Sequence, residues 1–433
     1  MFKKIFYENN VNEKKFALLL YLLGYFSLVY GFLTNENSSL GALPDFEHHA
    51  KILNDFAKDL SVSFFNYSNI YTTSHSPFFF LLVQLFEEAL GNRDLMRFFF
   101  LHICLLIPFL FYICLIKQYA QSKKNYLIYI PLLLFFSPYY RSLSIWPGSE
   151  NLSLIFLILS FLFFLNYKKS KNDKKIIYMT LNILFLALSA YVRPIYCFFS
   201  LYFFLFYVRN LNSKYLIFIY ILLNIILSFP AFYYVFILDI NFFAPLFENS
   251  FTLTATVNRI CFISSILLFY LIPFLIINYL IYGKKFFLNN FKINNLILSL
   301  IVFIPLLIYF NYELVHGGGF FYRLSSFLVG NNIIFYFSVF LALYFIFFIL
   351  FEDVKNRYYN DSILILIIFL LEIDYYTYQE TYDPLLYILF LIFFKTKLTR
   401  TFIESKKRYN LLILFTFCFV FYLMSLFRNS ISV

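Results

Sequence analysis

The stretch ALPDFEHHAK, residues 42–51, brings two carboxylates and two imidazoles together in a chain with few charges. Asp45, Glu47, His48 and His49 fall within five positions, although only 13% of the 433 residues are charged. A carboxylate in a partly dry cleft can act as a general base, and an imidazole can bind a substrate or transfer a proton. These are the residue types of an acid–base site, and the surrounding elements must position them.

The composition predicts that those elements are membrane helices. The chain is 62% hydrophobic and 24% aromatic, which is more apolar surface than a soluble domain of this length can bury. Runs such as 16–33 and 411–427 have the length and purity of transmembrane helices. We therefore predict an all-α polytopic membrane protein, with residues 1–433 forming one integral-membrane domain and 16–33 kept as its first helix.

Charge distribution predicts how the chain crosses the bilayer. We expect about 13 transmembrane helices with a cytoplasmic N-terminus. The spans are 16–33, 97–116, 126–137, 148–166, 176–191, 194–208, 215–238, 259–282, 296–312, 333–351, 362–373, 385–394 and 410–427. This arrangement leaves 25 Lys or Arg against 7 Asp or Glu in the inner segments, and 9 against 16 in the outer ones, as the positive-inside rule requires. The net charge of +11 is thus an orientation signal and gives no reason to expect nucleic acid as a partner.

The acid–base stretch falls in the first outer loop, residues 34–94. After Pro44, apolar residues recur at helical spacing, which predicts an amphipathic helix on the outer membrane surface. The apolar stretch 76–91 predicts a second interfacial helix that begins at Pro77. Asp45 could alternatively be only the N-cap of the first of these helices, because Asp is a favoured capping residue.

Other predicted outer segments also carry unusual polar groups. They are the turn around 139–153 with Arg141 and Glu150, the residue Arg193 between two short spans, the Gly-rich loop 313–332 with His316 and Arg323, and the acidic, Tyr-rich loop 372–384. Ionisable residues near membrane depth are costly and therefore indicate function. Structural alternatives remain open: Glu150 as a cap or turn residue, Arg193 as an interface anchor, and the three glycines 317–319 as a site of close backbone approach.

A metal site has little support in the sequence. Successive residues of a helix point to different faces, so Glu47, His48 and His49 would not converge on one ion. The five cysteines lie in apolar runs without metal-type spacing. We therefore name no metal ligand, and a divalent metal ion stays open as a cofactor that the sequence does not require.

This arrangement resembles the GT-C superfamily of membrane glycosyltransferases. The resemblance rests on an acidic residue early in the first outer loop, surface helices, and short spans joined by tight polar turns. The pattern Asp45-Phe46-Glu47-His48 followed by YTTSHSPFFFLL, and QETYDPLLYIL near the end, are most similar to the late glucosyltransferases of lipid-linked oligosaccharide assembly. The resemblance implies a polyprenyl-phosphate-linked sugar donor, a glycan, lipid or protein acceptor, and inversion at the sugar carbon.

Residue roles follow from that chemistry. Asp45, with Glu47 as its substitute, is the predicted general base for the acceptor hydroxyl. The leaving phosphate needs cationic partners, for which Arg141, Arg193, His316 and Arg323 are the candidates. His48 and Glu150 are further candidates for substrate binding, Glu150 by resemblance to a second acidic residue of the family.

Three other functions compete with this one: a glycolipid flippase or transporter, an O-antigen-type polymerase or ligase, and a purely structural membrane subunit. A transporter would be expected to show internal repeats and broken helices, and the polymerases usually place their large outer loop late in the chain. We expect an enzyme of cell-envelope glycan biosynthesis in a bacterial inner membrane, with its active site facing outward.

Overall fold

The computed structural model describes most of the chain. The described residues are 11–67, 75–119, 125–170, 172–210, 214–237, 252–284, 286, 292–312, 317–355, 360–372, 377–405 and 408–431. Within these ranges the chain consists of α-helices and short 3-10 helices, with no β-strand. The all-α prediction is confirmed.

The first half of the chain forms α1 (Val11–Leu33), α2 (Ala42–Lys58), α3 (Leu60–Phe65), α4 (Pro77–Leu90), α5 (Arg93–Cys104), α6 (Leu106–Gln118), α7 (Pro138–Ile145), α8 (Ser149–Lys169), α9 (Asn172–Val192), α10 (Phe199–Asn210) and α11 (Lys214–Phe236). The second half forms α12 (Leu253–Tyr282), α13 (Ile293–Tyr309), α14 (Gly319–Val329), α15 (Ile333–Lys355), α16 (Asn360–Leu370), α17 (Leu385–Ile392), α18 (Lys397–Glu404) and α19 (Arg408–Ile431). Four 3-10 helices lie between them, at Asn125–Ile128, Ile130–Phe136, Pro194–Phe198 and Gln379–Thr381.

Eight helical segments of the described residues are long and apolar enough to cross a membrane. They are α1, the consecutive pair α5 and α6, α8, α9, α11, α12, α15 and α19. The count of 13 is not confirmed, because the other five predicted spans form shorter elements. At 126–137 and 194–208, 3-10 helices occupy part of the apolar run, Ile130–Phe136 in the first and Pro194–Phe198 in the second.

Side chains at the surface fit an apolar surrounding. In α11 the residues Phe218, Ile225 and Phe229 are each more than half exposed, and Phe26 of α1 is 61% exposed. Apolar patches of this extent would be unusual on a soluble monomer. In contrast, α8 is buried between α6 and α9 along most of its length. Contact with lipid is therefore plausible for the helices at the periphery of the bundle, such as α1 and α11.

Polar segments gather at two ends of the helical bundle. At one end, which we call the acidic end, hydrogen bonds join segments that are remote in sequence. These segments lie near residues 38, 138–150, 193, 317, 377–383 and 428. At the opposite, basic end, the Tyr119 hydroxyl donates to the Leu391 carbonyl at 2.7 Å, and Lys395 bonds to Asp361 through its backbone N–H. Segments predicted to share a membrane face thus come together, while the identity of each face stays a prediction.

Both helices predicted for the first outer loop form, as α2 and α4, while their location at the membrane surface stays a prediction. α2 begins at Ala42, so Pro44 lies inside its first turn and does not precede the helix as expected. It buries Phe46, Ile52 and Phe56 on one face. α4 begins at Pro77 as expected and ends at Gly91, whose left-handed conformation (φ +66°) suits glycine.

Candidate functional site

Asp45 lies in the first turn of α2, at the acidic end of the bundle. The N-cap of this helix is Gly41, so the capping role considered for Asp45 is wrong. A methyl group added to Gly41 would lie 3.7 Å from an Asp45 carboxylate oxygen and 3.8 Å from a Glu380 carboxylate oxygen. The carboxylates of Asp45 and Glu380 therefore border the same small space, which stays open because Gly41 has no side chain.

The surroundings of Asp45 suit a group that accepts a proton. Its side chain is accessible to solvent, yet protein atoms crowd the recess in which the carboxylate lies. Burial, and secondly the negative charge of Glu150, raise the pKa of Asp45 from 3.8 to about 6. A base with a pKa close to the working pH accepts a proton more effectively than an ordinary aspartate.

Glu150 and Arg193 form an ion pair beside Asp45. Glu150 is in the first turn of α8, and Arg193 immediately precedes a 3-10 helix; their side chains are 11% and 15% exposed. Arg193 also donates to the Thr381 hydroxyl at 2.9 Å, and that hydroxyl donates to the Glu372 carboxylate at 2.8 Å. Burial alone would lower the pKa of Arg193, but the carboxylate of Glu150 raises it. Arg193 therefore joins three segments of the chain that are remote in sequence.

Glu380 faces both Asp45 and Glu150. Burial, and then the charges of Glu150 and Asp45, raise the pKa of Glu380 well above its ordinary value, while Arg193 opposes the shift. Carboxylates that crowd together cannot all ionise at once. Glu380 consequently holds its proton at pH values where an ordinary glutamate has lost it, and it can donate a hydrogen bond into the site.

The histidines of this region differ sharply in exposure. Glu47 and His48 are exposed, whereas His49 is 3% exposed and packs edge-on against His75, with ring centroids 4.6 Å apart. The Nδ1 of His75 is 3.2 Å from the Ser149 hydroxyl. Burial lowers the pKa of both His49 and His75, so both rings are neutral at pH 7. No group of three or more His, Cys, Asp or Glu residues in the described ranges is arranged to hold a metal ion.

Arg141 is bound to Glu36 in the protein interior. Its Nε donates to a Glu36 oxygen at 2.8 Å, and its other nitrogens bond to the second Glu36 oxygen, to Ser27 and to the Phe135 carbonyl. The residue is only 2% exposed. The ion pair lines a cavity of about 490 Å³ between α1 and α19, which Tyr422 also borders. Arg141 thus fixes the segment after α1 in place.

The glycines 317–319 make the close approach that the sequence suggested. All three have positive φ angles, and a methyl group on Gly317 would lie 2.9 Å from the Thr377 carbonyl oxygen. Gly318 donates to the same carbonyl at 3.0 Å. The loop is thereby tied to the segment that carries Glu380. Arg323 follows in α14 and donates from Nε to the Gly317 carbonyl at 3.2 Å, while His316 lies outside the described residues.

Similarity to known proteins does not identify this site. No family model matches the chain, and neither a curated protein nor a solved structure matches it.

The sequence pointed to the right segments more often than to the right residues. The loop 372–384 was singled out, but not Glu380, which faces Asp45. Thr381 and His75 are not among the predicted site residues, although Thr381 accepts a hydrogen bond from Arg193 of the ion pair and His75 bonds to Ser149, next to Glu150. The residues QET, 379–381, directly follow the tyrosine-rich run of this loop, and this position is the one sequence signal for them. Only the fold shows that the Glu380 side chain faces Asp45.

Proposed function

We propose that this chain is a membrane glycosyltransferase of the GT-C type, which moves a hexose or pentose from a polyprenyl-phosphate-linked donor to a glycan, lipid or protein acceptor. The observation that supports this most is the convergence of Asp45, Glu150, Arg193 and Glu380 from four remote segments. Within that group the ion pair fixes Glu150 and Arg193, while Asp45 keeps access to solvent and a raised pKa.

In the proposed reaction, Asp45 accepts the proton of the acceptor hydroxyl as its oxygen attacks the anomeric carbon. The bond between that carbon and the phosphate oxygen breaks on the opposite face of the sugar, and its electron pair remains on the lipid phosphate. The sugar configuration inverts, so no covalent glycosyl-enzyme is needed. A positioned general base contributes about 10²–10⁴-fold in rate.

The other groups hold the reactants. Protonated Glu380, opposite Asp45, is placed to donate a hydrogen bond to a sugar or acceptor oxygen. Arg193 keeps Glu150 ionised and positions Thr381. Glu47 and His48 are exposed and lie within one helical turn of Asp45 in α2. We propose that they contact the acceptor at the solvent-facing side of the site.

The setting follows from the same chemistry. A polyprenyl chain dissolves in the bilayer, so its phosphate and sugar reach a site at the ends of membrane helices. With the predicted orientation, the acidic end faces away from the cytoplasm, in a bacterial inner membrane, and the product is a cell-envelope glycan.

Mass spectrometry of envelope glycans and polyprenyl-linked sugars tests this function. The strains needed are wild type, a deletion, and the deletion complemented with Asp45→Asn or with Asp55→Asn as a control on the same helix. We expect the deletion and Asp45→Asn to lose one sugar at normal protein level, and Asp55→Asn to restore it. A deletion that alters no glycan would refute the transferase, and normal glycans with Asp45→Asn would refute the role of Asp45.

A further inference from the structure

Arg97 is a buried arginine of α5 whose guanidinium is bound by several segments of the chain. Its side chain is 8% exposed. Nε donates to the Ile145 carbonyl at 3.3 Å, Nη1 to the Asp94 carboxylate at 3.0 Å, and Nη2 to the Asn35 side-chain oxygen at 3.3 Å. Each nitrogen is thus engaged within the protein, so the role of Arg97 lies in what it connects.

Aromatic rings pack around the same guanidinium. The Cζ atom of Arg97 lies 3.7 Å from the centroid of the Trp146 ring, 5.2 Å from that of Phe32 and 5.7 Å from that of Phe46. A guanidinium within about 6 Å of an aromatic face is attracted to it, and its planar shape lets it stack. The Phe46 and Trp146 rings are themselves 5.7 Å apart. We call Arg97, Phe46 and Trp146 the cation–aromatic cluster.

The cation–aromatic cluster joins the two segments that carry the carboxylates Asp45 and Glu150. Phe46 directly follows Asp45 in α2. Trp146 comes four residues before Glu150, in the turn that leads into α8. This turn is tight, because a methyl group on Gly148 would lie 2.8 Å from a Glu150 carboxylate oxygen. A displacement of either aromatic ring would therefore move one carboxylate relative to the other.

We propose that Arg97 is a positioning residue for sugar transfer, which sets the separation between Asp45 and Glu150 through the cation–aromatic cluster. This inference rests on the proposed function and adds a residue that nothing in the sequence distinguishes from an ordinary charge on a helix. Arg97 holds α2 against the turn before α8, so that Asp45 meets the acceptor hydroxyl in the required orientation. A misplacement of about 1 Å at such a group can cost about 10²-fold in rate.

The pH dependence of sugar transfer reports the separation of the two carboxylates. The ionisable side chains around Asp45 come from three elements, and they are Glu47, His48, His49, Glu150 and Glu380. The charge of Glu150 raises the pKa of Asp45. If α2 moves away from the turn before α8, this effect weakens and the pKa of Asp45 falls towards its ordinary value. The fall of kcat/KM in acid then moves to lower pH, a change that a smaller amount of folded protein does not produce.

Steady-state kinetics of Arg97→Lys in nanodiscs test the proposal. Lysine keeps the positive charge but cannot stack on Trp146 as a planar group. We expect kcat at neutral pH to fall about tenfold or more, because Asp45 is misplaced. The KM for the lipid-linked donor should change by less than about threefold, because Arg97 does not contact the donor in this account. The fall of kcat/KM in acid should move to lower pH.

Trp146 provides a second measurement that needs no sugar donor. It is the single tryptophan of the chain, so intrinsic fluorescence reports on the cation–aromatic cluster alone. Its side chain is buried, 7% exposed, and acrylamide should quench it weakly in the wild type. In Arg97→Lys the quenching constant should rise about twofold or more, because a stacked guanidinium no longer covers the indole ring.

Control variants separate this effect from a general loosening of α2. Arg93, at the start of α5, also binds α2, through the Asn54 side-chain oxygen at 2.7 Å. Arg93→Lys should leave kcat, the acid fall and the quenching as in the wild type. If Arg97→Lys does not fold, Phe46→Leu removes the ring on the α2 side, and it should lower kcat and shift the acid fall in the same directions.

Each outcome bears on a separate claim. Raised quenching with an unchanged kcat and acid fall would overturn the inference, because Arg97 would then only stabilise the fold. Unchanged quenching in Arg97→Lys, a wild-type kcat in folded Phe46→Leu, or an equal loss of kcat in Arg93→Lys would also overturn it. A wild-type protein that transfers no sugar, while Arg97→Lys shows the expected quenching, would refute the proposed function and leave the cation–aromatic cluster standing.

Discussion

Replacing Arg193 with leucine should destabilise the folded protein strongly. The change leaves the carboxylate of Glu150, 11% exposed, without its cation, and removes the donor that orients Thr381 towards Glu372. Removing one partner of a buried ion pair typically costs about 3–5 kcal/mol, because the other charge stays buried and uncompensated. Residual exposure of this pair places the expected loss near the lower end, at about 3 kcal/mol.

The double variant Arg193→Leu/Glu150→Leu should recover most of that loss. It removes both charges, and apolar side chains of similar volume often replace a buried pair at little cost. It also relieves the repulsion that Glu150 exerts on Asp45 and Glu380. The comparison of single and double variants thus isolates the uncompensated charge from any loss of packing.

Thermal unfolding of the detergent-purified variants measures this effect. Arg193→Leu should unfold several degrees below wild type, and the double variant should lie much closer to wild type. Lys58→Ala is the matched control, because its exposed pair with Asp55 contributes less than about 1 kcal/mol. If the double variant is as unstable as the single one, or if Arg193→Leu unfolds like wild type, the reasoning about the buried pair is refuted.

Three further predictions concern other features of the acidic end. The kcat/KM of sugar transfer should fall as pH drops through about 6, because Asp45 must be ionised to accept a proton. Glu150→Gln should move this fall to lower pH, because it removes a negative charge that raises the pKa of Asp45. Gly317→Ala should lower the unfolding temperature, because the new methyl group meets the Thr377 carbonyl at 2.9 Å and the positive φ costs about 1–2 kcal/mol more; Gly330→Ala, with open space at the same kind of φ, should be milder. Arg141→Lys should also lower the unfolding temperature, because lysine cannot make the two-pronged contact with its carboxylate partner.

Features that depend on local periodicity could be predicted from the sequence. The helices α2 and α4 follow from apolar residues at helical spacing and from Pro77 at a helix start. The long spans follow from the length of their apolar runs. At 126–137 local hydrophobicity suggested a span, although the backbone forms a 3-10 helix over Ile130–Phe136.

Features that depend on contacts between remote segments could not be predicted in detail. Arg193 could equally have been an anchor at the membrane surface until the fold placed it on Glu150. Arg141 had the type expected of a phosphate ligand, but its donors are directed to Glu36 and Ser27. Glu380 has a raised pKa because it is buried and because α2 and α8 bring two other carboxylates to it. A linear sequence carries no such distances.

The central claim is that Asp45 accepts the proton of the acceptor during sugar transfer. Its most direct test uses the purified protein in nanodiscs. The donor is the polyprenyl-linked sugar that accumulates in the deletion strain, and the acceptor is the unmodified glycan from the same strain. The measured quantity is the rate at which polyprenyl phosphate is released. We predict that Asp45→Asn slows this release by about 10²–10⁴-fold while donor binding is retained. Release at the wild-type rate by a folded Asp45→Asn protein would contradict the claim.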